Sequence, residues 1–200
     1  MAEPRRPRAA TEEKRRRLLD ATEEIMLSDG YAAVSSRSVA AKVGINAPLV
    51  HYYFPTLDDL FLGVLHRPAE RNVERMTAAL DSPEPLRAWW ELASDTRGTA
   101  LFVELMAAAN HRPALKAELG VIAHQVREMQ MERLTTLVEE YGFDADQVPP
   151  ALVAAAMQGL AFSVVTDEAA GYDTSHDKAR AAMGDLLELL EARRARHLGR

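Results

Sequence analysis

Between Tyr31 and Leu60 the sequence reads YAAVSSRSVAAKVGINAPLVHYYFPTLDDL, and Gly44 divides it into two helical segments too short to stand alone. Isolated helices below about 12–15 residues are marginal in water, so both segments need a longer partner to pack against. Ser35 is placed to cap the first, about 36–43. Asn46 is placed to cap the second, about 46–53, with Pro48 in the first turn, where a missing N–H does no harm. Gly44 suits a turn that needs positive φ, and Ala40 offers a small residue where the second segment crosses the first. Val39, Val43, Ile45, Val50 and Phe54 are apolar at positions that pin the pair together. The remaining face carries Asn46, Ala47, Leu49, His51, Tyr52 and Tyr53, groups able to reach base edges and phosphates.

The rest of the chain surrounds this unit with helices. Residues 1–10 are rich in Pro and Arg and are expected to form a disordered basic arm. From Thr11 the pattern turns helical, with Leu18, Leu19, Thr22, Ile25 and Met26 on one face, and Asp29-Gly30 ends it. Thr56 caps a helix from Leu57 to about Leu80, with Asp58 and Asp59 well placed against its dipole and Pro68 predicting a kink or short break. Further helices are expected near 84–95, 99–110, 114–140, 149–169 and 176–196, with one of the breaks around Arg97-Gly98. No segment sustains a two-residue alternation of β-branched residues. The expected fold class is all-α: a three-helix helix-turn-helix domain over 11–56, then a larger helical domain over 57–200.

Charge and composition narrow the function. A net charge of −6 argues against general affinity for nucleic acid, yet the distribution is uneven. Residues 1–56 hold nine Lys/Arg and seven Asp/Glu; residues 57–200 hold fifteen and twenty-three. Cysteine is absent, which excludes disulfides and thiolate metal sites. The basic start leads into TEEKRRR and not into an apolar leader, so a cytoplasmic protein is expected. The longest apolar run, Ala151 to Val165, falls short of the roughly 18–20 residues a bilayer requires, so no membrane association is expected. No Ser-His-Asp order, Gly-rich phosphate loop or paired-carboxylate motif stands out, which predicts no enzyme activity and no cofactor. His124 and Glu128 stand at i, i+4, but one such pair reads as a solvated helix face, and no metal site is expected.

The order helix, S-R-x-V-A-x-x-x-G-I, short helix, Y-Y-F-P, D-D-L resembles the tetracycline-repressor (TetR) family of bacterial transcription regulators over about residues 11–62. The resemblance implies a sequence-specific regulator, usually a repressor, that binds double-stranded operator DNA as a homodimer and answers to a small-molecule effector. DNA contacts then fall to Ser36, Arg37, Asn46, Ala47, Pro48, Leu49, His51 and Tyr52. Trp89, Phe102, Met106, Met129 and Phe162 are candidates to line an effector cavity. Small or apolar residues of the last two helices, Ala155, Gly159, Phe162, Met183, Leu186, Leu187 and Leu190, are candidates for the dimer interface. The chain departs from the family pattern at His51, where an aromatic is usual, and at Leu57, where lysine usually approaches a phosphate. Arg5, Arg6 and Arg8, or free N–H groups of the fourth helix, are candidates to compensate. The alternative reading is a small-molecule carrier or enzyme with a vestigial helix-turn-helix.

Overall fold

The structure, a computed structural model, describes residues 5–172 and 176–199, with side chains at all of these except 5–8, 68–70, 165, 168–169 and 176. The described residues form nine α-helices, a 3₁₀ turn at Tyr31–Ala33, and no strand. The helices are α1 (Arg5–Asp29), α2 (Ser36–Val43), α3 (Ala47–Tyr53), α4 (Leu57–Leu80), α5 (Pro85–Ala93), α6 (Thr96–Ala109), α7 (Pro113–Glu140), α8 (Pro150–Ala169) and α9 (His176–His197).

The boundaries depart from expectation at several points. Helix α1 begins at Arg5 and not Thr11, so part of the expected disordered arm is helical, while residues 1–4 of that arm lie outside the described residues. Pro7 falls in the first turn, where its missing N–H loses no partner, and the arginines and alanines that follow favour helix. Helix α4 runs through Pro68 as one element. Each half is anchored by its own buried residues, Leu60, Phe61, Val64 and Leu65 on one side and Ala79 and Leu80 on the other, which outweighs one lost hydrogen bond. Helix α6 starts at Thr96, ahead of Gly98, because Asp95 Oδ1 accepts the Gly98 N–H at 3.3 Å and caps the first turn.

By compactness the chain divides into residues 1–70 with 101–121, and 71–100 with 122–200. In the first unit the apolar face of α1 (Leu18, Leu19, Thr22, Ile25, Met26) is buried together with Val39, Val50 and Phe54. Side-chain bonds join its two stretches. The Tyr31 N–H donates to Glu104 Oε2 at 2.7 Å, and the Tyr31 ring stacks on His111 with centroids 6.2 Å apart. Arg112 pairs with Asp58 and covers the Phe61 ring at 4.6 Å.

The second unit is built round Leu80, Leu86, Trp89, Leu134, Leu137, Tyr141, Met157 and Leu187. Glu191, which belongs by helical spacing to the charged face of α9, is buried instead. Its Oε1 accepts the N–H groups of Leu86 and Arg87 at 3.0 and 3.2 Å, and its Oε2 accepts the Tyr141 hydroxyl at 2.6 Å. The α5 N-cap, Glu84, makes no capping bond of its own, so α9 satisfies the orphan donors that α5 leaves at its start. Burial and the adjacent Glu191 carboxylate push the Tyr141 hydroxyl far above the usual phenol range, keeping it a donor.

Candidate nucleic-acid interface

The site is assembled from short-range capping. Ser35 and Ser38 form a reciprocal box at the start of α2: Ser38 N–H donates to Ser35 Oγ at 3.0 Å, and Ser35 N–H to Ser38 Oγ at 2.8 Å. This sets Ser36 and Arg37 in the first turn, with Arg37 exposed. Gly44 takes φ 77° and ψ 39°, the left-handed conformation, and both its N–H and that of Ile45 close on the Ala40 carbonyl at 3.0 Å. Ala40 itself is buried, as a helix crossing requires.

Helix α3 is held by Val50 and Phe54, both fully buried. The side turned to solvent carries Pro48, His51 and Tyr52, with Tyr52 76% exposed and packed edge-on against the half-buried Tyr53. Ala47 is half-buried and Asn46 exposed. Asn46 Oδ1 accepts the Leu49 N–H at 3.1 Å, so its carbonyl is spent on the cap and its amide N–H groups remain outward. Leu49 is half-buried and lines a small cleft with Leu18, Val43, Ile45 and Tyr53. His51 Nδ1 lies 3.4 Å from the Pro55 carbonyl oxygen.

Most of the basic charge around this face is already committed. Arg15 donates to the Tyr53 carbonyl at 3.1 Å with its guanidinium 4.3 Å above Phe54, and Arg17 donates to the Val43 carbonyl at 3.3 Å. These two arginines of α1 tie down the C-terminal ends of α3 and α2, a role that helical periodicity alone does not reveal. Arg16 pairs with Glu13, and Lys42 with Glu24 at 3.0 Å. Among the described side chains of α1 to α3, Lys14 and Arg37 are the cations outside ion pairs and cation–carbonyl bonds. At the start of α4, Asp59 Oδ2 accepts the Thr56 N–H at 2.9 Å while Asp59 N–H donates to Thr56 Oγ1 at 3.1 Å. This reciprocal box caps the start of α4 and brings the Asp59 carboxylate to that end of the helix. Arg5, Arg6 and Arg8 have no described side chains.

Residues 18–64 match the family of bacterial regulatory proteins known as the tetR family. Over these residues the helix-turn-helix is similar to that of the TetR family. Over 106 residues the chain is 29% identical to the HTH-type transcriptional activator FasR of Mycolicibacterium smegmatis, covering 48% of each chain. Over 62 residues it is 39% identical to the HTH-type transcriptional repressor KstR of the same organism, covering 31% of this chain and 30% of that one. The match thus spans about half the length of one curated relative and under a third of the other. A transcriptional regulator from Saccharomonospora viridis, solved in complex with choline, superposes with a TM-score of 0.71 at 22% identity. That superposition covers 88% of this chain and 96% of that one, so the two share a fold over most of their length.

The expected effector-cavity residues are divided between the two units. Trp89 is fully buried and Met129 half-buried in the second unit, where Phe162 is exposed; Phe102 and Met106 are exposed and belong to the first unit. The second unit does hold an apolar groove of about 240 Å³, lined among others by Leu134, Val138, Leu152, Met157, Met183 and Leu190, and by none of those five. Helical spacing marks which residues share a side but not whether that side meets a core or solvent. Among the expected interface residues, Ala155, Gly159, Phe162 and Leu186 are exposed, while Met183 and Leu190 are half-buried in the groove. Leu187 is 1% exposed and belongs to the unit's own core. His124 and Glu128 form an exposed pair at 3.1 Å. Among the described residues no helix is long and apolar enough to cross a membrane.

Proposed function

We propose that this chain is a cytoplasmic transcription regulator, a repressor that binds operator DNA as a homodimer and is released by a small-molecule effector. The observation that carries the reading is α3: its inner side is locked by Val50 and Phe54, and its outer side presents Pro48, His51 and Tyr52 beside Arg37 and the Asn46 amide. A rigid, exposed helix preceded by a tight glycine turn has the form of a recognition helix for the major groove. In this reading Ser36, Arg37 and His51 position the helix on phosphates, while Asn46, Ala47, Pro48, Leu49 and Tyr52 read base edges.

A helix of seven residues reads few base pairs, so a symmetric pair of chains is needed for a useful site. Exposed apolar residues on α8 (Leu152, Phe162) and α9 (Leu186, Leu189), with Ala155 and Gly159 between the larger groups of α8, supply a face for a second copy. A Cβ added at Gly159 meets nothing within 4 Å, so another helix has room to approach closely there. Repression follows from occlusion, which requires DNA binding alone, and the relative KstR is a repressor while FasR is an activator. The S. viridis neighbour was solved in complex with choline, which supports a small-molecule effector for this chain. Gel shift with genomic fragments at moderate salt tests the reading. Retention of particular fragments against excess random DNA is expected; equal retention of all fragments, or of none, overturns it.

A further inference from the structure

A chain of side-chain amides runs from the surface of the second unit into its core, and every bond in it points the same way. Arg127 Nη2 donates to Gln158 Oε1 at 3.3 Å, and Gln158 Nε2 donates to Gln130 Oε1 at 3.2 Å. Arginine has no acceptor atom, so the exposed Arg127 fixes which end of Gln158 faces it. Gln158 must then offer its NH₂ inward, which obliges Gln130 to meet it with oxygen. The inner terminus of the relay is therefore the Gln130 Nε2 amide donor. Gln130 is 1% exposed, and that nitrogen has no hydrogen-bond partner. The Trp89 indole N–H, which can only donate, is likewise buried and unpartnered in the same unit.

An unsatisfied buried donor is costly and is seldom kept without use. Gln130 sits one turn before Leu134 of the core, flanked in sequence by Met129 and Met131, which pack against that core together with Met157. Methionine side chains are unbranched and repack readily, so this region can admit a guest. We infer that the effector carries a hydrogen-bond acceptor, a carbonyl or carboxylate oxygen, on an otherwise apolar body, and that Gln130 Nε2 receives it. This rests on the effector-responsive reading above and names the class of ligand.

The test uses full-length protein and small compounds in matched sets, aliphatic and aromatic, each set holding a carboxylic acid, a methyl ketone and an amine on one carbon skeleton. Binding is followed by thermal melting. Acids or ketones are expected to raise the melting temperature while the matching amines do not, and the two acceptor arms separate a charged from a neutral oxygen. Gln130→Met should weaken the acceptor compounds roughly fivefold or more, the scale of one buried hydrogen bond. Arg127→Met, a surface change that leaves the core intact, frees both amides to flip and should let amines bind; it keeps the inference testable should Gln130→Met fail to fold. Amines that stabilise the wild type as well as their partners overturn the inference but leave the effector reading standing. So does an undiminished acceptor response in a folded Gln130→Met. If no compound of either kind binds, both fall.

Discussion

Arg37 gains its importance from what its neighbours have already given up. Arg15, Arg16, Arg17 and Lys42 are held by carbonyls or carboxylates, so a phosphate near α2 finds few uncommitted cations. Arg37→Ala should weaken binding to all DNA sequences alike. It should also reduce the slope of log affinity against log salt by about 0.9 per chain, the counterion release of one phosphate contact. An unchanged slope in a salt titration by fluorescence anisotropy removes Arg37 from the interface. Gly44 is sensitive for a different reason. Its added Cβ meets nothing within 4 Å, so the cost of a substitution is backbone strain at φ 77° alone. Gly44→Val should destabilise the N-terminal unit by about 1 kcal/mol or more, read as a lower denaturant midpoint. A midpoint equal to wild type contradicts the turn. Leu49 is half-buried beside Leu18 and Val43, so Leu49→Ala should lower stability, read again as a lower denaturant midpoint; an unchanged midpoint sets that packing aside.

At the scale of elements, the helices that were legible in the sequence are those fixed by neighbours in the chain. The starts of α2 and α3 follow from Ser35 and Asn46, and the turn between them from Gly44, all local chemistry. Gly98 carries the louder signal for a break, yet Asp95 three residues earlier is the cap, so α6 starts ahead of the glycine. The burial of Glu191 was illegible for a deeper reason: its partners at Leu86, Arg87 and Tyr141 lie far away in sequence, and α9 shows a plausible charged face without them. The same holds for Arg15 and Arg17, which look like part of a basic tail until the ends of α2 and α3 are brought beside them. The exposed positions of α3 were readable, since Val50 and Phe54 declare its opposite side; the commitment of Asn46 Oδ1 to the cap was not.

The junction of α7 with α9 supplies a pH-dependent element. Partial burial acts to raise the Glu140 carboxyl, but hydrogen bonds and charge from Arg194 and Arg133 outweigh it and hold the group below its ordinary value. A carboxylate depressed in the folded state contributes stability that is full above its unfolded value, about 4.3, and is lost as pH falls through the lower folded value. Thermal melting should therefore drop in that acid range, and Glu140→Gln should be less stable at neutral pH with a shallower acid dependence. An acid profile identical to wild type sets Glu140 aside as a contributor.

At the scale of the whole molecule, the proposal needs two chains. Leu186 is 48% exposed on α9, so Leu186→Glu should disturb little within one chain. The variant is expected to sediment as a monomer near 22.1 kDa, to keep a folded helix-turn-helix, and to lose operator affinity. A dimer that survives the change places the second copy elsewhere. The most direct test of the central claim is selection of binding sites from a random duplex pool with the full-length protein. An inverted repeat is predicted, its half-sites centred about one helical turn apart or a multiple of it, because a two-fold dimer must set two recognition helices into successive grooves. Recovery of no enriched sequence, or of a single unrepeated motif bound by one chain, would contradict the account.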